Sequence, residues 1–403
     1  MATHAVRTPL RRLPAVTGWS FLAAGFTARL PQAMTPLGVL LLVSAGSGDY
    51  GLGGFALAGY SAGCAIGGPV LGSLADRYGH RAVGVAAAVA NVAATAMFVL
   101  LAGTHAVVAA AALGFANPQI GALARSRWAW LARGRSDGAG LLATAMAYEG
   151  SADEMSFVLG PALAGTLSVV APWLPLVVAA ALSGGGQIVF ALHPTALPAS
   201  RSARGRDREP LPWRTVATLG LVFAGIGIVF GATQTGLAAI LGADGQRSLT
   251  GPVYAALGAS SGVAGLLSTL LPARIPVRTK AIGAAALLAV LTLPLPFCHG
   301  PVSLAVALGC AGLAVAPLAI AATELAQRSA PARRVTTVLT VLGTVSVTGI
   351  ALGAGVAGQL ADRFGGSAAF VLPTVAALIA IVGALLTRPW GRRITAPRGR
   401  SRR

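Results

Sequence analysis

Four ionisable residues interrupt two long apolar stretches of the sequence. Arg29 lies in the segment GFTARLPQAM, and Glu149, Asp153 and Glu154 lie in the segment AYEGSADEMSF. Ionisable residues are costly in a hydrocarbon environment, so they usually pair with one another or face a water-filled cavity. Glu149 and Asp153 are four residues apart and share one face of a helix, whereas Glu154 is turned about 100° further around it.

The two stretches place these charges at similar depths in a membrane. If both enter from the same side, Arg29 lies about 20 Å from residue 16, and Asp153 lies about 22 Å from residue 138. One arginine cannot neutralise three carboxylates, so we expect at least one carboxyl group to hold a proton in some state. The charges could therefore couple proton movement to transport. The alternative is a static ion pair that fixes one helix against another.

Composition indicates the surroundings of these residues. Of the 403 residues, 55% are hydrophobic and only 10% are charged, and the mean hydropathy is +0.75. Soluble domains carry about 25% charged residues. The chain contains twelve apolar runs, each close to the length that crosses about 30 Å of hydrocarbon and too long for barrel strands. We predict an all-α integral membrane protein with twelve transmembrane helices.

The predicted spans form two groups of six. They are residues 16–44, 52–74, 82–103, 105–124, 138–170, 173–193, 214–241, 250–271, 281–297, 301–326, 335–361 and 367–387. A polar, arginine-rich stretch at 194–213 predicts a cytoplasmic linker between an N-terminal bundle, 1–193, and a C-terminal bundle, 214–403, that ends in a basic tail. A shift of 193 residues aligns GPALAG at 160–165 with GAGVAG at 353–358, which predicts two repeated halves.

Basic residues predict the orientation. The chain has 30 Lys and Arg residues against 11 Asp and Glu residues, a net charge of +19. With the N-terminus inside, 27 basic residues fall in cytoplasmic segments and two, Arg247 and Arg363, fall outside. This bias follows the positive-inside rule and predicts a multi-pass cell-membrane protein with both termini in the cytoplasm. Because the basic residues cluster between apolar spans, we expect no nucleic-acid partner.

A charged loop follows the second predicted span. Residues 72–81 form the sequence GSLADRYGHR, which resembles the G-x-L-a-D-r-x-G-r-[KR] signature of the major facilitator superfamily. The matching residues are Gly72, Asp76, Arg77, Gly79 and Arg81. With the span count, the central linker and the half-repeat, the resemblance extends over essentially the whole chain. It implies two six-helix bundles, related by pseudo-two-fold symmetry, that rock around a central site, and it implies a gating role for this loop.

Other segments match the superfamily unequally. Gly160, Pro161 and Gly165 lie in GPALAG, which is similar to the GPxxGG element on the fifth helix of the superfamily's exporters and implies export. The arginine that drug exporters carry partway along the fourth span is missing from LGFANPQ at 113–119. A second copy of the loop signature, GQLADRFG at 358–365, faces outside by the charge count, so the sequence does not assign it the gating role.

Polar residues on spans that line the cavity in this superfamily are candidate substrate contacts. They are Gln32, Asn117, Gln119, Tyr148, Thr233 and Gln234. Each could instead make a hydrogen bond between helices.

The sequence thus predicts a secondary active transporter that functions as a monomer. We expect export of a small organic molecule, a drug or a metabolite, by proton antiport with alternating access. A uniporter or a proton-coupled importer of a metabolite such as a sugar or amino acid is the alternative. Cys64, Cys298 and Cys310 have no metal or disulfide spacing, and no P-loop or nucleophile–base motif occurs. No cofactor, metal or enzymatic activity is predicted, and the expected partners are the lipid bilayer, the substrate and protons.

Overall fold

The computed structural model describes residues 11–133, 135–199, 213–268, 272, 274–329 and 335–387, without the side chains of residues 139, 143, 154 and 335–337. All regular secondary structure in these ranges is helical. Most of the predicted linker at 194–213, the basic tail after residue 387 and the Glu154 side chain lie outside the described residues.

Twelve long helical units, α1 to α12, form the described part of the bundle. They are α1 Trp19–Ser47, α2 Tyr50–Tyr78, α3 His80–Leu101, α4 Ala106–Leu131, α5 Gly138–Val170, α6 Leu174–Leu192, α7 Trp213–Ala243, α8 Thr250–Ser268, α9 Val277–Phe297, α10 Pro301–Ser329, α11 Val335–Phe364 and α12 Gly366–Leu386. A short helix, Arg12–Thr17, precedes α1. Ten of the units, all except α5 and α8, meet the length and hydropathy expected of a membrane span. The predicted all-α membrane architecture is confirmed.

Helix α1 is interrupted at its charged residue. Its two segments are Trp19–Thr27 and Leu30–Ser47, and Ala28 and Arg29 lie between them. Pro31 is the second residue of the second segment. It costs no helix hydrogen bond there, because the first N–H groups of a helix lack partners inside it. At the break, the Arg29 N–H bonds to the Phe26 carbonyl at 3.1 Å. The Gly25 carbonyl accepts instead from the Arg29 side chain.

Helix α4 is longer than the sequence indicates. The predicted span ends at residue 124. Helix α4 is interrupted after Phe115, resumes at Ile120 and continues to Leu131. Arg125 and Arg127 therefore lie on a helix and not in a loop. Arg127 is fully buried, stacks 3.9 Å above the Phe190 ring and donates to the Phe190 carbonyl at 2.7 Å. The Phe190 carbonyl and ring thus provide contacts for the buried Arg127 guanidinium group.

Each group of six helices has its own apolar core. One buried cluster joins α7, α9, α10, α11 and α12, with Leu219, Leu288 and Leu318 among its members. Another is built mainly from the first group and includes Leu40 and Leu113. A separate core in each group suits two bundles that move as rigid bodies.

Glycines lie at close contacts between the two groups of helices. A Cβ atom on Gly54 of α2 would lie 2.4 Å from the Ala354 carbonyl oxygen of α11, and one on Gly165 of α5 would lie 2.4 Å from the Gly251 nitrogen of α8. Such distances mean that helix backbones are in direct contact. We call this end of the bundle, which carries Asp362, the Asp362 end. The opposite end is the Asp76 end.

Glycine contacts within one bundle predict a stability difference. Gly114 of α4 packs on α2, where a Cβ atom would lie 1.9 Å from the Tyr60 carbonyl oxygen, whereas a Cβ atom on Gly309 of α10 would meet nothing within 4 Å. We expect Gly114→Ala to destabilise the protein by about 1–3 kcal/mol through overpacking. The matched control, Gly309→Ala, should leave stability unchanged or slightly raised. Apparent melting temperatures in detergent measure both effects, and equal values for the two variants would contradict the packing.

Candidate functional site

A cavity of about 1050 Å³ lies between the two groups of helices at the Asp76 end. Helices α1 to α5 form one wall and α11 forms the other. The polar lining residues are Arg29, Gln32, Ser73, Asp76, His80, Gln119, Arg125, Ser126, Asp153, Ser156, Thr340 and Thr344. Small-molecule sites commonly occupy about 300–1,000 Å³. The space therefore suits a small organic molecule.

Arg29 joins two carboxylates of α5. Its Nη2 atom pairs with Glu149, its Nε donates to Asp153 Oδ1 at 2.8 Å, and its Nη1 donates to the Gly25 carbonyl at 2.8 Å. The side chains of Arg29 and Glu149 are only 3% and 1% exposed. The break in α1 and the i, i+4 spacing on α5 thus bring three of the four predicted charges together.

A second arginine, not anticipated from the sequence, completes the group. Arg125 of α4 pairs with Asp153 Oδ2, so Asp153 bridges two guanidinium groups. We call Arg29, Arg125, Glu149 and Asp153 the charge cluster. Two arginines face the two acids of this cluster, so the premise that Arg29 is the sole cation beside these carboxylates is wrong. The error arose because α4 extends beyond the predicted end of its span. That one carboxyl group holds a proton in some state stays a prediction.

The two acids of the cluster have different surroundings. Glu149 is enclosed, and its Oε1 atom also accepts a hydrogen bond from Trp128 Nε1 at 2.8 Å. Asp153 is 29% exposed and Arg125 is 40% exposed, and both line the cavity. Water or substrate in the cavity can therefore reach Asp153, whereas Glu149 is sealed.

Only two of the six predicted substrate contacts line the cavity. The Gln32 amide donates to Gln119 Oε1 at 3.0 Å, and both side chains reach the lining. The other four make hydrogen bonds within or between helices instead. These bonds join Asn117 to Tyr60, Tyr148 to the Leu22 carbonyl, Gln234 to Tyr254 and Thr233 to the Val229 carbonyl.

The predicted gating loop lies at the mouth of the cavity. Gly72 and Asp76 are part of the lining, and Asp76 and Arg77 are exposed. Among the described residues, Asp76 makes no hydrogen bond or ion pair. Gly79 ends α2 with φ +93°, a conformation that favours glycine. Arg81 donates to the Leu192 carbonyl at 3.2 Å.

The GPALAG segment of α5 lies where this helix crosses α1 and α8. A Cβ atom on Gly160 would lie 2.5 Å from Ala33 Cβ. The Pro161 carbonyl and Gly165 both contact Gly251 of α8. The segment therefore forms part of the contact between the two groups of helices.

The chain matches a known protein family and resembles solved structures in fold. The family model described as Major Facilitator Superfamily matches residues 19–353. The structure resembles the nucleoside transporter NupG at 15% identity, covering 91% of this chain and 97% of that one, with a TM-score of 0.69.

Two further solved structures are similar. They are the peptide transporter POT in complex with alafosfalin, at 15% identity, 94% and 97% coverage and a TM-score of 0.67, and the human organic anion transporter MFSD10 (TETRAN), at 19% identity, 94% and 100% coverage and a TM-score of 0.62. No curated protein sequence matches the chain at a significant level.

The unequal burial of the two arginines predicts unequal effects on stability. Arg29→Met leaves the sealed Glu149 carboxylate without its charge partner, which should cost about 3–5 kcal/mol. Arg125→Met removes a partly exposed pair in which Asp153 keeps Arg29, and should cost about 1 kcal/mol or less. Melting temperatures of both variants in one detergent provide the measurement. An equal or larger loss for Arg125→Met would contradict the burial assigned to these residues.

Proposed function

Because this chain belongs to the major facilitator superfamily, we propose that it exports a small organic molecule in exchange for protons. The cavity would open alternately to the two sides of the membrane as the bundles rock around it. The observation that carries the proposal is the charge cluster in the cavity wall, with one sealed acid and one accessible acid.

Asp153 is the proposed proton site. Neutralising a carboxylate that bridges two guanidinium groups weakens both ion pairs at once and leaves the cluster with a net positive charge. A net charge is costly at this depth, so the protonated cluster favours an arrangement that hydrates Arg125. Glu149 remains ionised in this proposal and holds Arg29 in place.

Substrate and proton would compete at the same cavity. Asp153, Gln32 and Gln119 all line it, so a bound molecule can meet the proton site directly. Such competition couples substrate transport to proton transport, because the carrier changes state with either the substrate or the proton bound. Nucleosides, peptides and organic anions, the molecules named for the solved neighbours, form the first panel of candidate substrates.

Direction and sidedness rest on two features. The similarity of GPALAG to the exporter element supports export, and its contacts with α1 and α8 suit a helix at which the bundles close. The positive-inside bias supports cytoplasmic termini. In this orientation the cavity faces the cytoplasm. We further propose that the protein functions as a monomer in the cell membrane.

The orientation can be tested by thiol labelling. In a background lacking Cys64, Cys298 and Cys310, we introduce Ser202→Cys in the linker or Gln246→Cys in the exposed α7–α8 turn. An impermeant reagent on intact cells should modify position 246 only, and permeabilised cells should show both. Modification of position 202 on intact cells would reverse the orientation.

The proton site can be tested in everted vesicles that carry a proton gradient and a pH-sensitive dye. A transported member of the panel should release protons from vesicles with the wild-type protein. Asp153→Asn should abolish this release yet retain exchange of labelled substrate down its gradient. The matched control is Asp137→Asn, which alters an exposed acid just before α5 and should release protons like the wild type.

A static ion pair predicts a different outcome. The double variant Arg125→Gln, Asp153→Asn keeps the cluster neutral and leaves the pair between Arg29 and Glu149. If the cluster only fixes helices, this variant should transport against a gradient and release protons. That result would refute proton coupling at Asp153.

A further inference from the structure

The N-terminus of α2 is bonded to a carboxylate from the other bundle. Asp362, near the C-terminus of α11, accepts hydrogen bonds from the Tyr50 N–H at 3.1 Å and the Gly51 N–H at 2.5 Å. The first four N–H groups of a helix have no acceptor within it, and they carry the positive end of the helix dipole. Asp362 supplies two of the missing acceptors across the interface between the bundles.

Residues of the first bundle satisfy the remaining two groups. The Asp49 carboxylate accepts from the Leu52 N–H at 2.8 Å, and the Asp49 N–H donates to Ser47 Oγ at 3.1 Å. The N-terminus of α2 is therefore complete only when α11 is docked. If the bundles separated here, the N–H groups of Tyr50 and Gly51 would lose their acceptor.

Glycines allow this contact to form. A Cβ atom on Gly51 would lie 2.3 Å from Asp362 Oδ2 and 3.0 Å from Asp49 Oδ1, and one on Gly358 of α11 would lie 2.7 Å from the Tyr50 carbonyl oxygen. No side chain larger than hydrogen fits between the helices at these positions. Asp362 Oδ2 and Asp49 Oδ1 both lie beside Gly51, so two carboxylates share this site and oppose each other when both are ionised.

A similar short sequence, Asp-Arg followed by an aromatic residue and Gly, lies at each end of α2. Asp76-Arg77-Tyr78-Gly79 ends α2 itself, and Asp362-Arg363-Phe364-Gly365 ends α11 beside the α2 N-terminus. Gly79 and Gly365 end their helices with φ +93° and +85°, so the two copies have the same local form. Asp76 is unpaired among the described residues, at the end where the cavity opens, whereas Asp362 is bonded at the end where the bundles meet.

We propose that Asp362 is a positioning residue that latches the Asp362 end of the carrier closed by capping α2 while the cavity faces the Asp76 end. The latch rests on the alternating access proposed above. It must release when the cavity opens to the other side, and the like charges of ionised Asp49 and Asp362 favour that release.

Cavity accessibility from the Asp362 end tests the latch. The reporter is Ser156→Cys, a residue of the cavity lining, in a background without native cysteines. An impermeant methanethiosulfonate reagent is applied to intact cells, which expose this end in the proposed orientation, or to everted vesicles if the topology is reversed. Asp362→Ala should raise the labelling rate about tenfold, the change that about 1.4 kcal/mol of lost capping produces.

Two variants distinguish a latch from general damage. Asp362→Asn keeps one acceptor oxygen and should label at an intermediate rate. Asp244→Ala removes an exposed acid of the α7–α8 turn at the same end and should label like the parent. An unchanged rate in Asp362→Ala, with the reporter still labelled from the Asp76 end, would overturn the latch. Failure of the parent to be labelled from the Asp362 end even at long times would overturn alternating access itself.

Discussion

A charge buried in a membrane-spanning bundle needs a partner, and this requirement sets the arrangement of α1, α4 and α5. Arg29 lies at a break in α1, where its side chain can satisfy a backbone carbonyl and two carboxylates together. Arg125 and Trp128 reach the same carboxylates from α4. Three helices are thereby held in one register, and moving any one of them along its axis would leave a charge unpaired.

Backbone groups obey a similar constraint. In hydrocarbon, a helix satisfies its own N–H and carbonyl groups except at its ends. Hydrogen bonds from other parts of the chain therefore stabilise a helix most at its ends. In this protein the two ends of α2 differ: Asp362 occupies one, and Asp76 is free at the other among the described residues. Glycine at the crossing points, such as Gly54 and Gly165, brings the backbones close enough for these contacts.

The cavity, the charge cluster and the closed end form one system. The cavity reaches from the exposed Asp76 end to Arg29 and Asp153, and α11 contributes both its far wall and the contact at the Asp362 end. In the proposed alternating access, α11 takes part at both ends, because it lines the cavity and also carries Asp362.

Sequence alone determined the features that can be derived along one helix at a time. Composition and run length indicated twelve membrane helices, and counting along each span placed Arg29, Glu149 and Asp153 at similar depths, from which their pairing was expected. Contacts that depend on how helices rotate and cross were decided only by the tertiary structure. The pairing of Arg125 with Asp153, the exclusion of Asn117 and Gln234 from the cavity lining, and the docking of Asp362 on α2 belong to this class. Periodicity is a local property of the chain. Apart from the bond between Gln234 and Tyr254, these contacts join residues that are 28 to 312 positions apart in sequence. The packing of whole side chains selects among the possible rotations of each helix.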